Sequence, residues 1–333
     1  MTPATQTTTQ TTTRTVARPP AGQELDEMPD ELPDDGLSDV DVAELRTLTR
    51  DREKAAQYRI DPHYRRGRQL IEPGDVWNTT FVVLKPDALA GRRVEAALRT
   101  VRGNGFTVVA ATTLRFTPLL TREVWRYQFN IASRDRADVV DLLLPCADSL
   151  LLVLRDTRWC PGSALPAACR LAALKGPADP AARGPADLRT ALRGPTTLFN
   201  FLHTADEPAD VVRELALFDL VTPRPVTPAV GAGEPLPDQR VEELVSLLYQ
   251  QVPAHDLDAA ASRERLAAIR HPAVREGAGW RALLDALTAG ELPADALWDV
   301  LSVATAAIEC NVPGLRPVIP TVGAERWTRE DGR

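Results

Sequence analysis

Four kinds of side chain in this 333-residue sequence could act together on phosphate: a histidine, a carboxylate, a lysine and a pair of arginines. His203 follows the apolar run Leu198-Phe199-Asn200-Phe201-Leu202, and Asp206, Glu207 and Pro208 behind it are residue types that open a helix. Free backbone N–H groups and the dipole at such a helix start stabilise phosphate. Within the predicted helix Val211, Leu215 and Phe218 recur at i, i+4 and i+7, which leaves Glu214 at the edge of the buried stripe, able to reach back toward a sheet. A carboxylate accepting one ring N–H fixes the tautomer and leaves the other nitrogen as a nucleophile. Lys85 leaves the end of a predicted strand directly before Pro86, where an ammonium could meet phosphate oxygens. Arg170 and Arg189 flank a loop dense in Gly, Pro and Ala and could clamp a polyphosphate. Each has a plainer alternative: a structural histidine, a solvated glutamate, a lysine marking where the chain meets water, and solubilising loop arginines.

Positioning these groups requires a sheet. The β-branched and aromatic run from 79 to 84 predicts a buried strand, and Val94, Ala97, Leu98 and Val101 a helix stopped by Gly103-Asn104-Gly105. A second strand is predicted over 106–116, helices over 120–131 and 134–144, and a third strand over 148–154. A helical piece follows around 164–174, then the long loop 175–195, then the strand carrying His203. This β-α-β-β-α-β order predicts an α+β fold, a ferredoxin-like antiparallel sheet with helices on one face. After the Pro- and Gly-rich stretch 223–237, read as a linker, four apolar stripes predict a C-terminal all-α helical bundle over 238–315. In it Trp280 and Trp298 read as core rather than ligand-binding.

The ends read differently. Residues 1–40 combine a Thr/Gln run with an acidic, Pro-rich stretch and cannot bury enough apolar surface to order themselves, so a disordered tail is expected. Residues 41–76 read as a helical and basic arm whose stretch Tyr64-Arg65-Arg66-Gly67-Arg68 is solvated, and 316–333 as a flexible tail. The formal net charge of −7 argues against nucleic acid as a partner. No apolar stretch reaches the roughly 20 residues of a membrane span. Four cysteines without a close C-x-x-C pair and no secretory leader lead to the expectation of reduced thiols and a cytoplasmic location.

Two stretches also carry a resemblance. Thr80-Phe81-Val82-Val83-Leu84-Lys85-Pro86-Asp87-Ala88 looks like the opening strand of nucleoside diphosphate kinases, which ends V-K-P-D-A, and Asn200-Phe201-Leu202-His203 is similar to their N-I-I-H. From His203 through Arg213-Glu214-Leu215-Ala216-Leu217-Phe218 the sequence follows H-G-S-D-S…E-K-E-I-S-L-W-F without a gap, so the resemblance covers about 77–218, within a domain drawn at 77–222. It implies that His203 accepts the γ-phosphate of ATP or another nucleoside triphosphate as a phosphohistidine and passes it to a nucleoside diphosphate. It implies that Glu214 orients the ring, that Lys85 contacts phosphates and ribose, and that Asn200 contacts the ribose 3′-hydroxyl. Tyr127, Arg170 and Arg189 would be phosphate neighbours, and Mg²⁺ would be bound through the nucleotide phosphates. A homo-oligomer, and a protein partner for the helical unit, are further partners this reading allows.

The departures are as definite. Thr204 and Ala205 replace the glycine and serine after the histidine, and Phe199 the arginine before the asparagine. Lys175-Gly176-Pro177-Ala178 stands for T-N-P-A, and Leu188-Arg189-Thr190-Ala191-Leu192 for I-R-G-D-F. Losing one oxyanion-type donor costs about 10²–10³ in rate. The alternative function is therefore a weakened, nucleotide-binding regulatory module.

Overall fold

The expected strand 79–84 is buried at all six positions, and its neighbours follow from that burial. In the computed structural model, which describes residues 39–231, 233–275 and 278–328, three helices precede it: α1 (Asp39–Leu48), α2 (Arg52–Ile60) and α3 (Pro62–Leu70). The expected disordered tail lies outside the described residues as far as 38. Then come β1 (Thr79–Leu84), α4 (Pro86–Ala90), α5 (Val94–Gly103), β2 (Phe106–Leu114), α6 (Pro118–Val124), α7 (Arg134–Leu143) and β3 (Ser149–Asp156). After α8 (Ala167–Lys175) and α9 (Leu188–Ala191), the three-residue β4 (Leu202–Thr204) leads into α10 (Pro208–Phe218). The sheet order is β2-β3-β1-β4 with antiparallel neighbours, the ferredoxin-like α+β arrangement expected.

Helices on one face alone do not account for this sheet. Consecutive burial along β1 and most of β3 requires cover on both faces. Helices α8 and α10 pack on β1, while α11 (Asp238–Gln251), the first of the C-terminal helices, packs on β2 and β3. Segment 223–237 is packed rather than a free linker: Val226, Thr227 and Val230 are buried, and the Leu236 N–H donates to the Val108 carbonyl (2.8 Å) on edge strand β2. The remaining C-terminal helices are α12 (Ala259–Ala267), α13 (Trp280–Thr288), α14 (Leu297–Ala307) and α15 (Glu325–Thr328). One hydrophobic core runs without a break from Leu45 to Ile319, so 238–315 shares the core of the sheet; Trp298 lies 6.2 Å from the Phe199 ring.

The arm and the C-terminal stretch are also built in. Tyr64 and Gly67, expected in a solvated basic stretch, are buried because α3 crosses α10 so closely that a Cβ on Gly67 would stand 2.2 Å from the Val212 carbonyl oxygen. Trp327, expected in a flexible tail, is buried against Trp77, and its indole N–H donates to Glu207 (2.9 Å). No helix among the described residues is long and apolar enough to cross a membrane.

Candidate active site

Strand register brings the lysine and the histidine to one place. His203 pairs with Val83 across β1 and β4. Because side chains alternate along a strand, Lys85, two residues beyond Val83, shares the His203 face, as does Phe81 two residues before it. The Phe81 ring sits 5.9 Å from the imidazole and 5.4 Å, edge-on, from Phe218 of α10. That contact lays α10 over the face carrying the histidine, and Glu214 reaches back as expected: His203 Nε2 is 2.5 Å from Glu214 Oε2. The contact engages Nε2, and Nδ1 is the ring nitrogen turned away from the carboxylate.

The approach to the histidine is strained. Phe201 adopts φ +72°, a left-handed conformation that costs a non-glycine residue about 1–2 kcal/mol. Asp87 Oδ2 accepts its N–H (2.9 Å) and the Lys85 N–H donates to its carbonyl (2.9 Å), so the V-K-P-D-A-like turn holds the histidine segment in place.

His203, Lys85, Arg189 and Asn200 open onto one cleft of about 150 Å³. Two side chains that spacing did not reveal join them. The helix expected over 120–131 stops at Val124, so Trp125 leaves it and stands edge-on 5.0 Å from the imidazole. Arg136, three residues beyond the Ser133 N-cap of α7, brings a guanidinium into the same cleft. A Ser before a helical stripe marks that start, but only the tertiary fold turns this face of α7 toward His203.

The positive charges there are only partly compensated. Burial holds Lys85 below the ordinary lysine value, Asp87 opposing and Arg189 adding to the effect. Burial, reinforced by Arg183, pushes Arg189 down to about 10, and burial also lowers Arg136. Asp87 Oδ2 lies 3.7 Å from the Lys85 ammonium, and burial raises that carboxyl's own pKa. Three cations whose charged forms are disfavoured make a site that an anion would stabilise.

Two residues expected near phosphate are elsewhere. Arg170 forms a two-point pair with the buried Asp156 at the end of β3 (2.5 and 2.7 Å), which needs a cation in that position. The Tyr127 hydroxyl donates to Asp61 (2.8 Å), in a buried group with Arg213, because this aromatic belongs to the core between the arm and α10. Lys175, the first residue of the stretch that stands for T-N-P-A, pairs with Asp206 (2.8 Å). The start of α10 is capped by the chain's own side chains. Glu207 and Asp210 form a capping box there, with the Glu207 N–H donating to Asp210 (2.9 Å), and both carboxylates face the buried Lys54 (2.8 and 2.9 Å).

No protein-family model and no curated protein matches the chain. Solved structures do. A nucleoside diphosphate kinase of Aquifex aeolicus is 23% identical over 42% of this chain and 93% of its own, with a TM-score of 0.35. That of Encephalitozoon cuniculi is 16% identical over 50% and 99% (TM-score 0.36), and that of Pyrobaculum aerophilum 17% over 42% and 94% (0.33). Over that part of its length the chain is similar to these nucleoside diphosphate kinases.

Proposed function

We propose that the chain is a phosphotransferase that moves the terminal phosphoryl group of a nucleoside triphosphate to a nucleoside diphosphate through His203. The observation that carries this reading is the 2.5 Å contact between His203 Nε2 and Glu214 at the mouth of a cleft lined by Lys85, Arg189 and Arg136. Glu214 keeps the proton on Nε2, so the Nδ1 lone pair attacks the terminal phosphorus while the diphosphate leaves. A second diphosphate then takes the group back from the same nitrogen. The cations neutralise charge on the transferring oxygens, and little other covalent machinery is required.

Cations and a histidine are a donor set for phosphate rather than for a bare metal ion. Magnesium, if it takes part, arrives on the substrate's phosphate oxygens and supplies further charge neutralisation there. A binding-only module is the second reading, favoured by Arg170 and Tyr127 lying outside the cleft. Incubation with γ-labelled ATP and Mg²⁺ separates the two. Acid-labile, base-stable label that is lost in His203→Ala supports transfer; ADP-dependent thermal stabilisation without label supports binding alone.

A further inference from the structure

A nucleotide has three parts to recognise, and the cleft's dimensions and engaged groups suit only one of them. Its volume of about 150 Å³ is well below the roughly 300–1,000 Å³ of pockets that enclose most of a small-molecule ligand. The groups that would read a sugar are already engaged: Asn200 Nδ2 donates to the Thr197 carbonyl (2.7 Å), its Oδ1 accepts from Arg189 (3.4 Å), and Lys85 Nζ donates to the Leu198 carbonyl (2.9 Å).

The stretch 127–133, whose Phe129 lines the cleft, is fastened by the chain's own C-terminal segment. The Ser133 N–H donates to the Cys310 carbonyl (3.0 Å), the Val312 N–H to Ile131 (2.8 Å), the Asn130 amide to Arg316 (2.8 Å) and the Ile319 N–H to Tyr127 (3.2 Å). The same segment holds Arg136, whose Nη1 donates to Asn311 Oδ1 (2.7 Å), while its buried Nε has no hydrogen-bond partner among the described residues. A fixed wall, a small cavity and a guanidinium with a donor to spare fit a bare phosphate chain.

We propose that the cleft reads the phosphate chain without its nucleoside, so that inorganic tripolyphosphate is a phosphoryl donor to His203, bound through Arg136. This rests on the phosphotransfer proposed above. The Nδ1 lone pair forms a bond to a terminal phosphorus, the bridging P–O bond breaks, and pyrophosphate leaves with its electron pair. The Nε2 proton stays on the Glu214 side. In the reverse direction pyrophosphate is an acceptor, and a nucleotide is used with its nucleoside outside the cleft.

The test compares ATP and tripolyphosphate, each labelled in a terminal phosphate, on the full chain with Mg²⁺, alongside His203→Ala, Arg136→Ala and Arg136→Lys. Both donors should label the wild type at rates within about tenfold, because the nucleoside adds little binding energy. Arg136→Ala should lower labelling by sub-saturating tripolyphosphate about 10- to 100-fold, the worth of a charged hydrogen bond, and Arg136→Lys should restore part of it. Unchanged urea midpoints establish that the variants are folded; if Arg136→Ala unfolds, Arg136→Lys carries the comparison through its reduced labelling. Label from ATP but none from tripolyphosphate overturns the inference and leaves the proposed function standing. No label from either overturns both, and undiminished labelling of the Arg136 variants overturns the assignment of Arg136.

Discussion

The Lys54 ammonium lies 2.8 Å from Glu207 Oε2, with both side chains buried, so an arm that precedes the sheet is bolted to the start of the helix that carries Glu214. Thr49 and the Arg50 N–H donate to the same carboxylate (2.6 and 2.8 Å), and Tyr58 to Asp210 (2.6 Å). Burial alone would lower the Lys54 pKa; Asp210 and Glu207 outweigh it and hold the ammonium above the ordinary range. Lys54→Met leaves two buried carboxylates without their cation and should cost about 3–5 kcal/mol. Urea unfolding measures this, and a loss under about 1 kcal/mol would mean that the pair does not fasten the arm.

Gly67 makes the same interface steric. Gly67→Ala places a methyl group 2.2 Å from the Val212 carbonyl oxygen, whereas a Cβ on Gly74 meets nothing within 4 Å. Overpacking should cost Gly67→Ala about 1–3 kcal/mol while Gly74→Ala stays within about 0.5 kcal/mol of the wild type. Equal melting temperatures for the two variants would contradict the close crossing of α3 and α10.

Asp61 should give the stability a distinct acid limb. Burial would raise its pKa, but Arg213 and the Tyr64 N–H and Tyr127 hydroxyl outweigh burial and hold the carboxyl below its ordinary value. A depressed folded pKa means that its stabilisation is complete above the unfolded value of about 3.9 and is lost as pH falls through the folded value. Urea midpoints measured from pH 6 to below about pH 4 should therefore fall more steeply in the wild type than in Asp61→Asn. Parallel curves would contradict the assignment.

Glu214→Gln keeps a hydrogen-bonding group beside Nε2 but removes its charge. The rate of phosphohistidine formation at saturating donor should fall by up to about 10²- to 10⁴-fold, the usual worth of a positioned acid–base group, with donor affinity nearly unchanged. Weaker binding at an unchanged maximal rate would show Glu214 acting on substrate rather than through the ring.

What the sequence disclosed follows local physics. The run Thr79–Leu84 could only be a buried strand, and strand alternation then places Lys85 on the His203 face. The separation of eleven between His203 and Glu214 suffices for a strand, a turn and a helix edge, and the contact is there. The misplaced residues depended on partners far away in the chain. Arg170 is taken by Asp156 and Tyr127 by Asp61, buried carboxylates whose need for a donor no local spacing announces. Arg136 entered the cleft for a similar reason, since its orientation comes from the packing of α7 and from Asn311. The C-terminal helices read correctly as helices but not as a separate unit, because apolar stripes do not say which surface they will cover.

In the proposed reaction His203 carries the phosphoryl group on Nδ1, the nitrogen that Glu214 leaves open. Phosphorus NMR of the full chain after reaction with ATP and Mg²⁺, held at alkaline pH, identifies both residue and nitrogen. One phosphohistidine is expected, attached at Nδ1 and absent in His203→Ala; attachment at Nε2, or no phosphohistidine above that control, would contradict phosphotransfer through Nδ1.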